Sequence, residues 1–232
     1  MNEFRFALKH TAPIFFTYLF IGIAFGVLMA DAGYSAVWSA LSGFFIYAGS
    51  LQIVMVPLLQ AHVPLLTIAL TACFVNARHI FYGIAFLETF RDMGLKYPYM
   101  VLTLTDETYS VLCSVTYDNG LDRKKAAFFI SMLNHSYWIL GCFLGGCAGR
   151  LLPWDLTGID FSATAFFLVV VINQWQQSRS KIPALTGLIC ALGFCLLLGT
   201  DHFLVPALTV SMIFLVILKD KILLQEEFTH ES

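Results

Sequence analysis

Of the 232 residues, 59% are hydrophobic and only 12% are Asp, Glu, Lys or Arg, with a net charge of −2. Soluble domains carry about 25% charged residues, so a water-soluble fold would have to bury nearly all of this apolar surface. The near-neutral balance leaves no basic patch for nucleic acid. The composition fits a single all-α domain over residues 1–232, a polytopic transmembrane helix bundle.

Arg5 and Lys9 precede an apolar stretch that is too long for a secretory h-region and lacks a clear small-residue cleavage site, so it is expected to be a retained helix. Eight spans are predicted, at about 12–30, 35–59, 63–87, 98–117, 125–149, 161–176, 183–200 and 203–219. A seven-span version, losing one short C-terminal helix, ranks second. The segment 161–176 is the shortest, at about 24 Å for a 1.5 Å rise per residue.

With eight spans and the N-terminus inside, nine of the thirteen basic residues fall on the cytoplasmic side. Short loops rich in Lys and Arg stay there, so both termini are expected to be cytoplasmic.

The second span is interrupted at Tyr47, Ala48, Gly49, Ser50 and Gln52. A break near Gly49 would free backbone groups, which a membrane tolerates only against protein or a wet cavity. An unbroken helix with small residues for packing accounts for the pattern about as well. In the third span Asn76 and His79 share a face with Gly83, which is expected to let the backbone open, and Arg78 lies beside them.

The fourth span carries Asp106 and Glu107. An unpaired charge at bilayer depth costs about 2.5–3.5 kcal/mol on insertion scales, so Arg78 is expected to pair with one of these carboxylates. The cluster reads either as a buried ion pair fixing helix packing or as the lining of a solute or proton path. Thr103, Asp106, Ser110, Cys113 and Tyr117 recur at steps of three and four, one polar stripe on one helix. His79 is a candidate proton carrier, or a buried histidine bonded to a neighbour.

In the fifth span Gly141, Gly145 and Gly149 form a close-packing surface, a face that Asn134 and Tyr137 continue. Asn134 or His135 could instead reach a cavity. Gly22 and Gly26 of the first span echo Gly141 and Gly145.

The six cysteines sit in apolar runs without a CxxC pair, and no metal site or cofactor is expected. HExxH, GxSxG and P-loop patterns are missing, so the chain is not read as an enzyme. From the residues alone a secondary transporter ranks first, a channel for a small polar solute second and an accessory membrane subunit third.

The run Gly22-Ile-Ala-Phe-Gly26, the stretch Tyr47-Ala-Gly-Ser-Leu-Gln52, Asn76-Ala-Arg-His79 leading to Tyr82-Gly83, Thr105-Asp-Glu107 and Gly158-Ile-Asp-Phe161 together resemble the AzlC-type (YgaZ-like) branched-chain amino-acid permease family, in that family's order. The resemblance covers nearly the whole chain. It implies export of valine, leucine, isoleucine and methionine across the bacterial cytoplasmic membrane, in company with a small AzlD-type (YgaH-like) membrane subunit. The substrate-binding residues expected from pattern and resemblance together are Tyr47, Gly49, Ser50, Gln52, Asn76, Arg78, His79, Asp106, Glu107 and Asn134. Ala77 and Ser50 depart slightly from the family pattern, which bears on substrate range.

Overall fold

The computed structural model describes residues 2–117, 120–151, 180–199, 203–219 and 221, with short helical pieces at 164–165, 168–169, 171–172 and 175–176. Ten α-helices are defined among the described residues: α1 (Glu3–Asp31), α2 (Ala36–Phe45), α3 (Gly49–Gln60), α4 (Leu65–Asn76), α5 (Arg78–Arg91), α6 (Tyr97–Leu102), α7 (Asp106–Ser114), α8 (Arg123–Leu151), α9 (Ile182–Leu198) and α10 (Leu204–Ile217). Half of the predicted sixth span lies outside the described residues, as does Gly158-Ile-Asp-Phe161.

The chain forms two compact units. One comprises Met1–His62 and Asn76–Asp160, the other Val63–Val75 and Phe161–Ser232. In the second unit α9 packs on α10. The first unit is built on α1 and α8, both 29 residues long. At 1.5 Å per residue each reaches about 43 Å, enough for a hydrocarbon core of about 30 Å and its headgroup layers. Phe16 and Phe20 of α1 are 70% and 78% exposed, a surface that suits lipid rather than water.

Glycine determines how α1 meets α8. Gly141 lies against the carbonyls of Tyr18 and Leu19, Gly145 against Ile23, and Gly149 against Val27 and Ala30. From the other side, Gly22 faces Gly141 and Cys142, and Gly26 faces Cys142, Gly145 and Gly146. A methyl group at Gly26 or Gly145 would collide with backbone, so only hydrogen fits this crossing. Contacts advance together along both chains, so the helices run parallel. Phe4 meets Phe129 near one end and Gly149 meets Ala30 near the other. Arg5, Lys9, Arg123, Lys124 and Lys125 therefore share one end of the pair.

Asp122 closes that end of α8 by accepting from the N–H groups of Lys124 at 3.0 Å and Lys125 at 3.2 Å, as an N-cap side chain does. The backbone N–H of Lys125 is the main reason its carboxyl titrates below the ordinary aspartate range.

Three predicted spans are broken: the second, the third, which divides at Ala77 between α4 and α5, and the fourth. The interruption in the second falls at residues 46–48, where Tyr47 has φ +42°. This is a left-handed conformation that a non-glycine residue adopts only when its surroundings enforce it. The fourth span, expected as one helix from 98 to 117, is instead α6 and α7 joined through residues 103–105. The single polar stripe is therefore corrected. Thr103 sits in the break, Asp106, Ser110 and Cys113 lie on α7, and Tyr117 lies beyond its end. The physical reason is Thr105, whose hydroxyl accepts from the Thr108 N–H at 3.3 Å and starts a new helix. The backbone opening expected at Gly83 is also corrected, since α5 runs through it without interruption and nothing lies within 4 Å of its missing Cβ.

Candidate functional site

The breaks in the second and fourth spans pack against the middle of α8. Its buried residues Ser131, Asn134, His135, Trp138 and Cys142 recur at helical spacing and form one face. Tyr18, at the middle of α1, completes the enclosure; it is 3% exposed and its ring meets that of Trp138 at 5.3 Å.

Gln52 spans the first break. Its Oε1 accepts from the Trp138 indole N–H at 2.9 Å and from the Ala48 N–H at 3.3 Å, and its Nε2 donates to Ser42 Oγ at 3.1 Å. One fully buried amide thus ties α2, the start of α3 and α8 together. Reaching back to Ala48 resembles the return bond of a capping box. Trp138 fills the space that two glycines leave, since a Cβ would meet its ring atoms at 3.4 Å from Gly43 and 3.0 Å from Gly49. Gly49 opens α3 and Ser50 is half-buried in its first turn. At the end of α2, His135 Nε2 donates to the Phe44 carbonyl at 3.2 Å. A carbonyl can only accept, so in the neutral ring Nδ1 is left to accept from the Tyr99 hydroxyl of α6 at 3.1 Å. One histidine therefore touches the broken second and fourth spans.

The second break presents α7. Asp106 and Glu107 occupy its first turn, where negative charge suits the helix dipole. Tyr18 OH lies 2.9 Å from Glu107 Oε2 and 2.7 Å from Thr105 Oγ1. Thr105 donates to Thr108 Oγ1 at 3.2 Å, which also accepts from Asn134 Nδ2 at 3.1 Å. The Tyr47 hydroxyl is directed toward the hydroxyls of Tyr18, Thr105 and Thr108. Tyr47 OH and Asn134 Oδ1 are nevertheless buried without a hydrogen-bond partner. Buried polar atoms of this kind are rare, and each needs a physical account.

Of the predicted site residues, the structure brings Tyr47, Gly49, Ser50, Gln52, Asp106, Glu107 and Asn134 to the two breaks and the α8 face that covers them. Asn76 ends α4 and its carbonyl lies 3.2 Å from His79 Nδ1. His79 also meets Tyr82, whose ring stacks on Tyr109 of α7 at 4.8 Å. The expected pairing of Arg78 concerns a side chain outside those described; its backbone opens α5. Asn134 turns toward α7 whereas Tyr137 and Gly141 face α1, so the expected continuous face divides. Tyr18 and Trp138 were missed, because each reads as one more apolar residue in an apolar span. The spacing of Ser131, Asn134, His135 and Trp138 was the available signal. Among the described residues no group of three or more His, Cys, Asp or Glu is placed to hold a metal ion.

Two bilayer-length helices, outward-facing phenylalanines and broken helices closing on buried polar groups define a helical membrane protein with an internal polar site. The chain matches the AzlC protein family over residues 13–152, and it belongs to that family. It is 37% identical to the Branched-chain amino acid transport protein AzlC of Bacillus subtilis (strain 168), over 93% of this chain and 85% of that protein. It is 33% identical to an uncharacterized membrane protein of Helicobacter pylori (strain J99), over 96% of this chain and 97% of the relative. Identity to the Inner membrane protein YgaZ of Escherichia coli (strain K12) is 26%, over 74% of this chain and 73% of that protein. No solved structure matches the chain.

Proposed function

We propose that this chain is the transport subunit that exports the branched-chain amino acids valine, leucine and isoleucine, together with methionine, from the bacterial cytoplasm, working with a small AzlD-type membrane subunit. The observation that carries this reading is the pair of helix breaks facing buried polar atoms that lack partners. The name of the Bacillus subtilis relative supports the substrate class.

A zwitterion has two charged ends, and the two breaks offer unlike surroundings for them. The first N–H groups of a helix have no carbonyl of their own helix to serve them, and α3 begins at Gly49. It carries no acidic residue in its first turn and suits the substrate carboxylate. The Asp106 and Glu107 turn of α7, with Tyr47 OH and Asn134 Oδ1, suits the ammonium. The N-terminus is assigned to the cytoplasm, because the parallel α1–α8 pair gathers five basic residues at one end, and an eight-span count places the C-terminus there too.

The test is countertransport. Proteoliposomes preloaded with unlabelled leucine and holding the purified chain, with and without its small partner, are expected to accumulate labelled leucine. Asp106→Asn and Arg78→Gln are expected to lower exchange while inserting normally. A pore would show no stimulation by internal leucine, and transport by the partner alone would assign this chain an accessory role.

A further inference from the structure

The outer face of α1 near its start combines two features that the helix breaks do not use. Leu8, Ala12, Phe15 and Phe16 of α1 and Tyr137 of α8 line an open groove of about 340 Å³. Ala12 makes room for it, because a methyl group stands where Leu8, Phe15 and Phe16 on the neighbouring turns have long side chains. The Phe15 ring stands edge-on to Phe16 at 5.3 Å and to Tyr137 at 5.0 Å, which joins the two helices in one apolar wall. The Tyr137 hydroxyl is turned to Thr11 at 3.3 Å, and Thr11 is fully buried. The one polar side-chain atom among the lining residues therefore points inward, and the groove presents rings and methyl groups that suit an acyl chain rather than a polar solute.

Charge heads this groove. At about 100° per residue, Arg5, Leu8, Lys9, Ala12, Phe15 and Phe16 fall within a sector of about 120° on α1. Two cations thus stand on the same face whose apolar residues form the groove, and both are exposed. Glu3 lies about 180° from the middle of that sector. Asp122 and Asp92, which belong to the same end, are directed to Lys125 at 3.4 Å and Lys124 at 3.7 Å. Helical side chains lean toward the N-terminus, so Arg5 and Lys9 reach past the open end of the groove as snorkelling cations do. From Leu8 to Phe16 the groove follows the helix for about 12 Å, most of the roughly 15 Å that one leaflet contributes to the hydrocarbon core.

We propose that this groove is the binding site of one anionic phospholipid, its phosphate held by Arg5 and Lys9 and its acyl chain laid along Leu8, Ala12 and Phe16. Charge complementarity selects this occupant. A zwitterionic lipid answers its own phosphate with an ammonium, and a neutral transmembrane segment supplies nothing to the two cations, whereas an anionic headgroup satisfies them where the apolar wall begins. The site lies on the membrane-facing surface of α1 and holds whatever solute the breaks bind.

The experiment uses the purified full-length chain, alone and with its small partner, in detergent. It is titrated with phosphatidylglycerol or with phosphatidylcholine of identical chains, and native mass spectrometry counts the phospholipid retained. One phosphatidylglycerol per chain is expected, bound more tightly than phosphatidylcholine. Each cation near an anionic lipid contributes a factor of about five, so Arg5→Gln and Lys9→Gln are each expected to lower the affinity for phosphatidylglycerol about fivefold, and both together about 25-fold. Arg150→Gln, in the last turn of α8 at the opposite end, is expected to change nothing. Ala12→Phe fills the groove and keeps both charges, and it is expected to shed the lipid. Arg5 and Lys9 are exposed, so their variants decide the matter even if Ala12→Phe does not fold. Phosphatidylcholine bound as tightly as phosphatidylglycerol, affinity that survives loss of both cations, or lipid retained in full by a folded Ala12→Phe overturns the proposal. Lipid lost on addition of the small partner gives the groove to that subunit and overturns it too.

Discussion

Replacing Gly26 with alanine tests the crossing on which the first unit is built. The new Cβ would stand 2.5 Å from the Gly146 nitrogen and 2.8 Å from the Gly145 carbonyl carbon, and closer still to the Cys142 oxygen. All three are backbone atoms, so no side-chain rotation gives relief. Ordinary contact begins at 3.4 Å, and the helices must separate locally by about 1.1 Å to relieve the closest of these contacts. A radial gap of about 0.5–1 Å forfeits a quarter to a half of the dispersion attraction, and overpacking of this kind typically costs about 1–3 kcal/mol. The gain in helix propensity from Gly to Ala, about 1 kcal/mol, offsets part of this. At Gly22 the nearest backbone atoms stand at 3.0 Å, a smaller intrusion, and at Gly83 nothing lies within 4 Å. Thermal unfolding in detergent should therefore rank Gly83→Ala at or above wild type, Gly22→Ala below it and Gly26→Ala lowest, by about 2 kcal/mol. A Gly26→Ala protein as stable as Gly83→Ala would refute the close parallel crossing.

Other consequences can be measured separately. Gln52→Leu removes the acceptor shared by Trp138 and Ala48; leaving buried donors unpaired costs about 1–3 kcal/mol, so exchange should fall, whereas Trp138→Phe should lose less because it removes the indole donor as well. Cysteines placed at Ala30 and Gly149, whose Cβ positions adjoin, should cross-link, and cysteines at Thr11 and Gly149 should not; the reverse outcome would make α1 and α8 antiparallel. Asp122 titrates below its unfolded value, so its stabilising contribution is full above the ordinary aspartate range and is lost as pH falls through the lower folded value. The acid arm of stability should therefore be shallower in Asp122→Asn, which keeps a capping oxygen without a titrating group. Isovalerate and isoamylamine, each lacking one charged end of a branched-chain amino acid, should inhibit leucine exchange at least about tenfold less well than valine does.

The long helices were legible because an uninterrupted apolar run of bilayer length has few alternatives. The break at residues 46–48 was also legible, since Tyr47, Gly49, Ser50 and Gln52 place polar and small residues where a lipid-facing helix has no use for them. The break at 103–105 was hidden, because Thr103, Asp106, Ser110, Cys113 and Tyr117 satisfy a helical period as well as any continuous helix does. The local sign was present in Thr105 followed by Asp106 and Glu107, a capping hydroxyl ahead of acidic residues, which starts a helix as readily as it continues one. Trp138 and Tyr18 stayed hidden for another reason. Pattern reading sorts residues by polarity, and an aromatic ring with one polar atom counts as apolar until its neighbours are known. The indole N–H acquires meaning only when α8 lies against Gly43 and Gly49, which no local rule supplies.

The two breaks differ in a way that bears on why one chain would carry both. The first turn of α7 brings its own carboxylates, so the positive end of its dipole is already answered. The first turn of α3 has none, and Gln52 covers only the Ala48 N–H. One helix start therefore offers net negative character and the other an N-terminus with no acidic residue of its own, and both are anchored to α8 within the five residues from Asn134 to Trp138. On the proposed reading, a substrate with both charges satisfies each end without water, while a solute with one charge leaves the opposite group exposed to an apolar surround. The discrimination then follows from backbone geometry that Gln52 and Trp138 hold in place, and the apolar side chain of the substrate adds affinity without deciding which class of molecule is admitted.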